Sequence, residues 1–237
     1  MKSGSPLVPA NLLLAKLPVA EYVELARGLE HIELEAGCLI EQRGTPLQYV
    51  WFPNDCLISL RAEISDEAGL EVGLIGREGA LSIAFGARGS AAPLTALVQV
   101  GGSAMRIEAE AFARLAGRSL GLQHAIFASM RSLMMQASQI ALCSHYHLLE
   151  ARLARALLLT RDRLQSNEFH LTHEFLSKAL GVRRVGVTRA ASTLHEKNLI
   201  HYRRGAITLA DIPGLEAAAC ACYEIDKGLQ TSPGKSY

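Results

Sequence analysis

Hydrophobic and polar positions divide the chain into a strand-rich half and a helical half. Residues 11–35, in which "LLLAKLPVAEYVELA" has amphipathic spacing, predict short helices that lead into a strand. The stretch "GCLIEQRGTPLQYVWFPNDCLISL" and the residues after it alternate short apolar runs with Gly, Pro, Asn and Asp, as strands joined by turns do. Gly101-Gly102 predicts a further hairpin turn. Together these strands favour a small antiparallel roll.

A long helix is predicted after the strands. From Glu108 to Leu164 glycine is sparse and proline is absent. Six positions recur there in steps of four and three, as in a heptad seam: Ile126, Met130, Leu133, Ala137, Ile140 and Ser144. The helix would span about 25 residues, roughly 37 Å. Such a seam either packs within its own domain or joins two chains. A length far above the usual 11 or so residues favours self-association, with the first five of these residues as the dimer interface.

Helix, glycine turn and helix follow near the C-terminus. A polar connector, "QSNEFH", precedes Thr172, which is a good N-cap for a helix over "HEFLSKAL", and Gly181 is placed to end that helix. A second helix runs from about Arg183 to Lys197. Gly186 within it costs roughly 1 kcal/mol relative to alanine, which indicates a close approach of the backbone to another group. The inward-facing positions are spaced by three and four: Val187, Ala190, Ala191 and Leu194. This is the helix-turn-helix pattern.

The opposite face of the second helix carries candidate DNA-binding side chains. Arg184, Val185, Thr188 and Arg189 form one outward stripe next to Arg183. An arginine fork pairs with O6 and N7 of guanine, which is worth about 1–3 kcal/mol of base discrimination. Val185 offers apolar contact to a thymine methyl, and Thr188 offers a hydrogen bond to a phosphate or a base.

A hairpin is predicted directly after the second helix. The stretch "LIHYRRGAITLAD" is typical of strand, turn and strand, with Gly205-Ala206 as a two-residue turn and Arg203 and Arg204 at the tip. Basic tip residues would lie near the phosphate backbone, and Thr172 completes the predicted DNA-binding set. The whole pattern is that of a winged helix. A structural three-helix unit with solvated arginines is the alternative that the pattern leaves open.

Positive charge is concentrated in this C-terminal segment. The 237-residue chain has a net charge of +1, which alone does not indicate a nucleic-acid partner. From Thr172 to Ala210, however, two Lys and five Arg stand against two Glu, a net charge of +5 that leaves −4 for the rest. This asymmetry is typical of a neutral or acidic module joined to one that binds a polyanion.

The cysteines predict reduced thiols in a cytoplasmic protein. Their number is odd and their spacing unpaired: Cys38, Cys56, Cys143, Cys220 and Cys222. Cys143 and His147 have the i, i+4 spacing of metal ligands, but Cys220 and Cys222 would face different sides of a helix. Packing is therefore their expected role, and no metal or cofactor is predicted. Proline and lysine interrupt the apolar N-terminal stretch, and no 18-residue apolar run exists, so no membrane segment is predicted.

The sequence resembles the CRP/FNR family of transcription regulators. Residues 172–200, "THEFLSKALGVRRVGVTRAASTLHEKNLI", look like the helix-turn-helix of that family, and "YVWFPNDCLISL" and "IGREGALS" look like pieces of its sensor roll. The resemblance covers nearly the whole chain. It implies an α+β fold: an N-terminal antiparallel β-roll (1–118), a long dimerisation helix (119–146) and a C-terminal winged helix-turn-helix (147–237). It also implies base contacts by Arg184 and Arg189, while Val185 replaces the family's usual glutamate and alters the expected recognition sequence.

The resemblance also bears on the signal that the roll receives. Members that bind cyclic AMP hold the phosphate with an Arg-Ser or Arg-Thr pair, but Leu94 and Thr95 stand in those positions here, and a leucine cannot pair with a phosphate. Arg88 is the alternative cation for pairing with a phosphate, but the length of the loop disfavours it. Cys38 and Cys56 lack the close spacing of the cysteines that hold an iron–sulfur cluster in oxygen-sensing members. The effector is therefore unknown, and haem ligation by a single His is left open.

The sequence thus predicts a sequence-specific DNA-binding transcription regulator, a homodimer that reads an inverted repeat in the major groove of double-stranded DNA. RNA polymerase is a further partner that the resemblance implies. GxSxG, P-loop, HExxH and GxGxxG patterns are missing from the sequence, so an enzyme is not expected. The alternative is a ligand-binding or protein-interaction module whose helix-turn-helix does not read DNA.

Overall fold

The computed structural model describes residues 9–65, 68–83 and 90–231. It opens with the two predicted short helices, α1 (Leu12–Ala15) and α2 (Val19–Ala26). Asn11 fixes α1 to the strands that follow, because its Oδ1 caps the helix while its Nδ2 donates to the carbonyl oxygens of Pro53 (2.8 Å) and Gly79 (2.9 Å). The helical start of the chain is therefore docked on the roll.

The predicted roll is confirmed as two antiparallel sheets, with strand orders β1–β7–β3 and β2–β6–β4–β5. The strands are β1 (Glu30–Leu34), β2 (Leu39–Glu41), β3 (Tyr49–Pro53), β4 (Leu57–Ser65), β5 (Ala68–Ile75), β6 (Thr95–Val100) and β7 (Gly102–Glu108). Apolar side chains from both sheets, among them Trp51, Ile58 and Val98, are buried between them. Short alternating strands can bury only one face each, so the two sheets close on a shared core.

Gly101 and Gly102 do not form the predicted hairpin. β6 and β7 lie in different sheets, so the chain crosses between the sheets at this point. The crossing is close: a Cβ on Gly101 would lie 2.9 Å from the carbonyl oxygen of Leu34, and one on Gly102 would lie 2.8 Å from Oδ1 of Asp55. The glycines are explained by this backbone approach and not by a turn.

The predicted long helix is confirmed. After α3 (Ala109–Ala116), α4 runs over 27 residues from Leu120 to Tyr146. The Ser119 side chain caps it by accepting a hydrogen bond from the backbone N–H of Leu122. Among the residues described, no helix combines the length and hydrophobicity that crossing a membrane requires.

A separate core organises the C-terminal part of the chain. Its elements are α5 (Leu149–Leu164), β8 (Glu168–His170), α6 (His173–Leu180), α7 (Arg184–Glu196), β9 (Ile200–Arg203), β10 (Ala206–Leu209), α8 (Ile212–Ala218) and α9 (Cys222–Thr231). The predicted connector "QSNEFH" is partly wrong, since β8 lies within it and pairs antiparallel with β10 in a sheet of order β8–β10–β9. Three residues are too few to show strand periodicity, and the pairing with β10 makes them a strand.

Candidate nucleic-acid interface

Two helices meet at a glycine turn that presents α7 on the surface. Thr172 caps α6 as predicted, and its Oγ1 accepts a hydrogen bond from the backbone N–H of Phe175 at 3.1 Å. Gly181 ends α6 in the left-handed conformation, with φ at 64°. A Cβ on Gly186 would lie 3.0 Å from Cδ2 of Leu149, so the close approach that this glycine indicates is to α5. The predicted inner face is confirmed as buried: Val187, Ala190, Ala191 and Leu194.

The side chains predicted to bind DNA lie on the outer face of α7. Arg184, Val185, Thr188 and Arg189 are exposed, as is Arg183 at the N-cap. Val185 leaves 57% of its surface open to solvent. In the described part of the chain no carboxylate lies within ion-pair distance of these arginines. Their charges therefore face solvent without an internal counter-ion.

Thr188 is held by contacts within the chain. Its hydroxyl donates to the carbonyl oxygen of Arg184 at 3.1 Å, and Nδ1 of His173 lies 3.1 Å from the same hydroxyl oxygen. Because the hydroxyl hydrogen is already used, Nδ1 of His173 is assigned as the donor of that second bond. The His173 ring stacks on Tyr202 with centroids 4.2 Å apart, and burial together with the charge of Arg184 lowers its pKa, which favours the neutral ring. Sequence reasoning missed this link between α6, α7 and β9, because no spacing indicates it.

The predicted wing is confirmed, with its turn moved by one residue. Arg203 pairs with Ala206, so the turn residues are Arg204 and Gly205, with φ at 50° and 86°. Positive φ at both positions defines a type I′ turn, which matches the twist of the flanking strands and favours glycine second. Arg203 and Arg204 are exposed at the tip, and Nε2 of His170 lies 3.1 Å from the carbonyl oxygen of Arg204. β8 thus supports the wing from behind.

The roll position expected to face a phosphate, Thr95, lies beside a carboxylate, that of Glu63. Thr95 is buried and its hydroxyl donates to Oε2 of Glu63 at 2.7 Å, while Arg61 pairs with the same carboxylate at 3.3 Å. Leu94 packs against the roll core. An incoming phosphate would meet Glu63 and an arginine that is already neutralised, which is unfavourable. That cyclic nucleotides do not bind stays a prediction, and Arg88 lies outside the described residues.

A half-buried carboxyl group, that of Glu71, lies on the side of the roll that faces the C-terminal part. Burial raises the pKa of Glu71 to about 7, against the opposing hydrogen bond from Ser59 and the charges of Arg163, Arg155 and Arg61. The Ser59 hydroxyl donates to Oε2 of Glu71 at 2.5 Å. Near neutral pH this carboxyl group therefore titrates.

The apolar residues of α4 divide between two faces. Ile126 and Leu133 pack against the cores of their own chain, and Ile140 is half-buried. The exposed stripe lies one position further along, with steps of seven, three, four and seven: Leu120, Phe127, Met130, Met134 and Ala141. One position is about 100° around a helix. The face that the fold leaves open is thus rotated from the predicted seam, and it shares Met130 with it.

Four potential metal ligands lie together where α4 ends. The ligand atoms of Cys143, His147, Cys220 and Cys222 all lie within 4.8 Å of one another. The expectation that the last two face different sides of a helix is wrong, because α9 begins at Cys222 and leaves Cys220 in the preceding connection. The hydrogen bond with Cys220 and the charge of Arg155 lower the pKa of Cys143, whereas that same hydrogen bond, reinforced by burial, raises the pKa of Cys220.

Comparison with known proteins places the C-terminal part in a defined family. Residues 151–218 match the Crp-like helix-turn-helix domain. A search of curated proteins by sequence found no significant match. Among solved structures, a proposed Crp/Fnr-family regulator from Eubacterium rectale is 19% identical, with a TM-score of 0.67 over 87% of this chain and 96% of that one. FixK2 from Bradyrhizobium japonicum is 16% identical, with a TM-score of 0.67 over 81% of this chain and 98% of that one.

A third similar structure, a CRP-family transcriptional regulator from Thermus thermophilus, is 18% identical, with a TM-score of 0.67 over 79% of this chain and 96% of that one. The fold is therefore that of the transcription regulators built from a roll, a long helix and a winged helix. Residues 151–218 therefore form a Crp-like helix-turn-helix domain, and the likeness to the solved structures extends to the fold of the rest of the described chain.

Proposed function

We propose that this protein is a homodimer that represses or activates transcription by binding an inverted-repeat operator through two copies of α7. The observation that carries the proposal is the exposed arginine stripe of α7, which has no acidic partner in the described part of the chain. An unneutralised cationic face on the second helix of a helix-turn-helix suits the major groove of DNA. Two-fold symmetry would present the two helices about 34 Å apart, one turn of B-DNA.

The exposed residues divide into base-reading and positioning roles. Arg184 and Arg189 lie five positions apart on α7, and each can pair with a guanine edge, while Val185 lies beside Arg184 and suits a thymine methyl. Arg203 and Arg204 at the wing tip suit phosphate contacts, which position the protein without reading sequence.

Three further residues complete the proposed interface. Arg183 precedes the first turn of α7, and Thr172 is exposed at the N-terminus of α6, where backbone N–H groups favour an anion. The Thr188 hydroxyl already donates to the carbonyl oxygen of Arg184. Its proposed role is therefore to shape the exposed face of α7, called here the reading face, and to accept one further hydrogen bond.

The dimer interface is proposed along the exposed stripe of α4. Leu120, Phe127, Met130, Met134 and Ala141 keep a heptad spacing over more than half of the helix, which is the pattern that packs two helices side by side. Phe127 leaves 69% of its surface exposed. Ala137 is half-buried beside the stripe, and Ile126, Leu133 and Ile140 support it from the side of their own chain.

A signal received at the roll is proposed to reach α7 through contacts on α4. Oε1 of Gln136 accepts hydrogen bonds from the backbone N–H of Leu74 (3.0 Å) and from Nη2 of Arg163 (3.4 Å). Nε of Arg163 donates to Oε1 of Glu78 at 2.8 Å. The roll, the long helix and α5 therefore meet in one buried network, so a shift of α4 relative to the roll would move the DNA-binding part.

The test compares Arg184→Ala with Arg27→Ala on a DNA fragment that the wild-type protein retains from genomic DNA. Arg27 is an exposed arginine beyond the end of α2, far along the chain from α7. Arg184→Ala should weaken binding by about 1–3 kcal/mol per half-site, roughly 5- to 150-fold, because a base contact is lost. Arg27→Ala should bind as the wild type does.

Fluorescence anisotropy over a salt series measures both effects. For a DNA reader, the logarithm of the association constant should fall linearly with the logarithm of the salt concentration. Equal binding by Arg184→Ala and wild type would refute the assignment of the reading face. Absence of salt-dependent DNA binding by the folded protein would favour the protein-interaction alternative.

A further inference from the structure

The cysteine–histidine cluster joins three separate segments at the junction between α4 and the DNA-binding part. Cys143 lies in the last turn of α4, and His147 is its C-cap residue. Cys220 lies between α8 and α9, and Cys222 begins α9. The three cysteines are buried, and His147 is half-buried. Reactive or packing cysteines need no histidine beside them, so this grouping asks for another explanation.

Two distances within the cluster are close to those of a tetrahedral metal site. A metal with bonds of about 2.3 Å to sulfur and about 2.0 Å to nitrogen has edges of about 3.8 Å between two sulfurs and about 3.5 Å between sulfur and nitrogen. Sγ of Cys143 lies 3.5 Å from Sγ of Cys220, and Sγ of Cys222 lies 3.5 Å from Nδ1 of His147. The remaining separations stay within 4.8 Å, so small side-chain rotations complete the tetrahedron.

The surroundings suit three thiolates around one divalent cation. Such a site has a net charge of −1, and Arg152 and Arg155 line the same cavity as Cys143. Arg155 is held there by Asp226, one turn after Cys222, with its Nε 2.7 Å from Oδ2 of the carboxylate. Fixed cations next to a thiolate centre offset the charge that burial would otherwise penalise.

A buried amide group also lies against this cluster. Gln139 is one helical turn before Cys143, and its buried Nε2 has no oxygen or nitrogen acceptor in the described part of the chain and lies against the Cys222 thiol. A thiol sulfur is a weak acceptor. A metal-bound thiolate at Cys222 would be a stronger acceptor for this N–H group, as groups around metal sites commonly are.

We propose that Cys143, His147, Cys220 and Cys222 bind one zinc ion, or another divalent metal of similar softness, in a closed tetrahedral Cys3His site. Three sulfur ligands and one imidazole favour Zn²⁺ over oxygen-seeking cations, and four protein ligands leave no open position for catalysis. On binding, each thiol loses its proton to solvent and the imidazole binds through Nδ1 as the neutral ring.

The site would fix the angle between α4 and the DNA-binding part. Two ligands lie at the end of α4, and the other two are Cys220, in the connection before α9, and Cys222, its first residue. The metal would therefore tie the start of α9 to the end of α4 across the connection to α5. If α4 joins two chains, as proposed above, metal loading would then set how the two α7 helices are spaced. This consequence rests on the proposed function, whereas metal binding itself does not.

The test measures metal content and ligand geometry on the full chain. Protein purified without chelator should contain one zinc ion per chain by elemental analysis. Chelator-treated protein titrated with Co²⁺ should show the visible bands of tetrahedral cobalt and the thiolate charge-transfer bands, with saturation at one equivalent. Cys143→Ser and Cys222→Ser should lose both, while Cys38→Ser, which removes an exposed thiol of the roll, should keep both.

Three outcomes would overturn the proposal. The first is wild-type protein that binds no stoichiometric metal and gives no tetrahedral Co²⁺ spectrum. The second is a Cys143–Cys220 disulfide, found by mass spectrometry in place of the metal. The third is equal metal loss in Cys38→Ser. If a serine variant fails to fold, alkylation of Cys220 in the wild-type protein, with and without chelator, tests metal binding instead. Chelator should speed the alkylation, because a bound metal protects that sulfur. DNA binding that fails while metal binding persists would refute the proposed function alone.

Discussion

Replacing Met134 by glutamate should separate the proposed dimer without unfolding the chain. Met134 lies in the middle of the exposed stripe of α4 and leaves 62% of its surface open. Full burial of a methionine side chain contributes about 1.5–3 kcal/mol, so covering the open 62% contributes about 1–2 kcal/mol per chain. Because both chains of a symmetric dimer bury this side chain, the contribution doubles to about 2–4 kcal/mol per dimer. The dimer dissociation constant should therefore rise by roughly 30- to 700-fold, and like charges at the seam add to this.

Sedimentation velocity over a concentration series measures the shift. Glutamate and methionine have similar helix propensity, so circular dichroism should stay unchanged. Leu39→Glu is the matched control, since Leu39 is 49% exposed on β2, at the sheet edge opposite β5, the strand that packs against α4. We expect wild type and Leu39→Glu to be dimers where Met134→Glu is a monomer. A Met134→Glu dimer of wild-type affinity would refute the heptad argument.

Two further predictions concern charge. Arg203→Ala should weaken binding to all DNA sequences by a similar factor and reduce the salt slope by about one per chain, because it removes a phosphate contact; a slope equal to that of wild type in anisotropy titrations would contradict the wing assignment. The pKa of Glu71 is about 7 in the folded chain against an ordinary value of 4.5, so its contribution to stability falls as pH rises from about 4.5 to 7. The effect of Glu71→Gln on the free energy of unfolding, relative to wild type, should therefore be more stabilising at pH 8 than at pH 5 by up to about 3 kcal/mol, measured by urea denaturation. An equal effect at both pH values would contradict the explanation by burial of the acid.

The parts of the interface that sequence reasoning placed correctly depend on local rules. Thr172 and Gly181 mark the two ends of α6, because an N-cap and a left-handed backbone position each need those residue types at fixed places. The inner face of α7 follows from steps of three and four, which only a helix converts into one side. The wing turn was misplaced by one residue because Gly205 suits either position of a two-residue turn, and only the pairing of Arg203 with Ala206 decides.

Features that depend on distant contacts could not be placed from the sequence. α4 has two apolar heptad registers, and the packing of Ile126 and Leu133 on the roll is what leaves Met134 exposed. Cys143 and Cys220 are 77 residues apart, and neither spacing nor periodicity links them. The fold brings them together because α9 returns to the end of α4.

The central claim is that the protein reads DNA as a symmetric dimer, and selection from genomic fragments tests it most directly. Purified full-length protein is mixed with sheared genomic DNA at moderate salt, and the retained fragments are sequenced. The account predicts enrichment of an inverted repeat whose half-sites are about 10 base pairs apart, centre to centre. Folded, dimeric protein that enriches no sequence, or only a single unrepeated half-site, would contradict it.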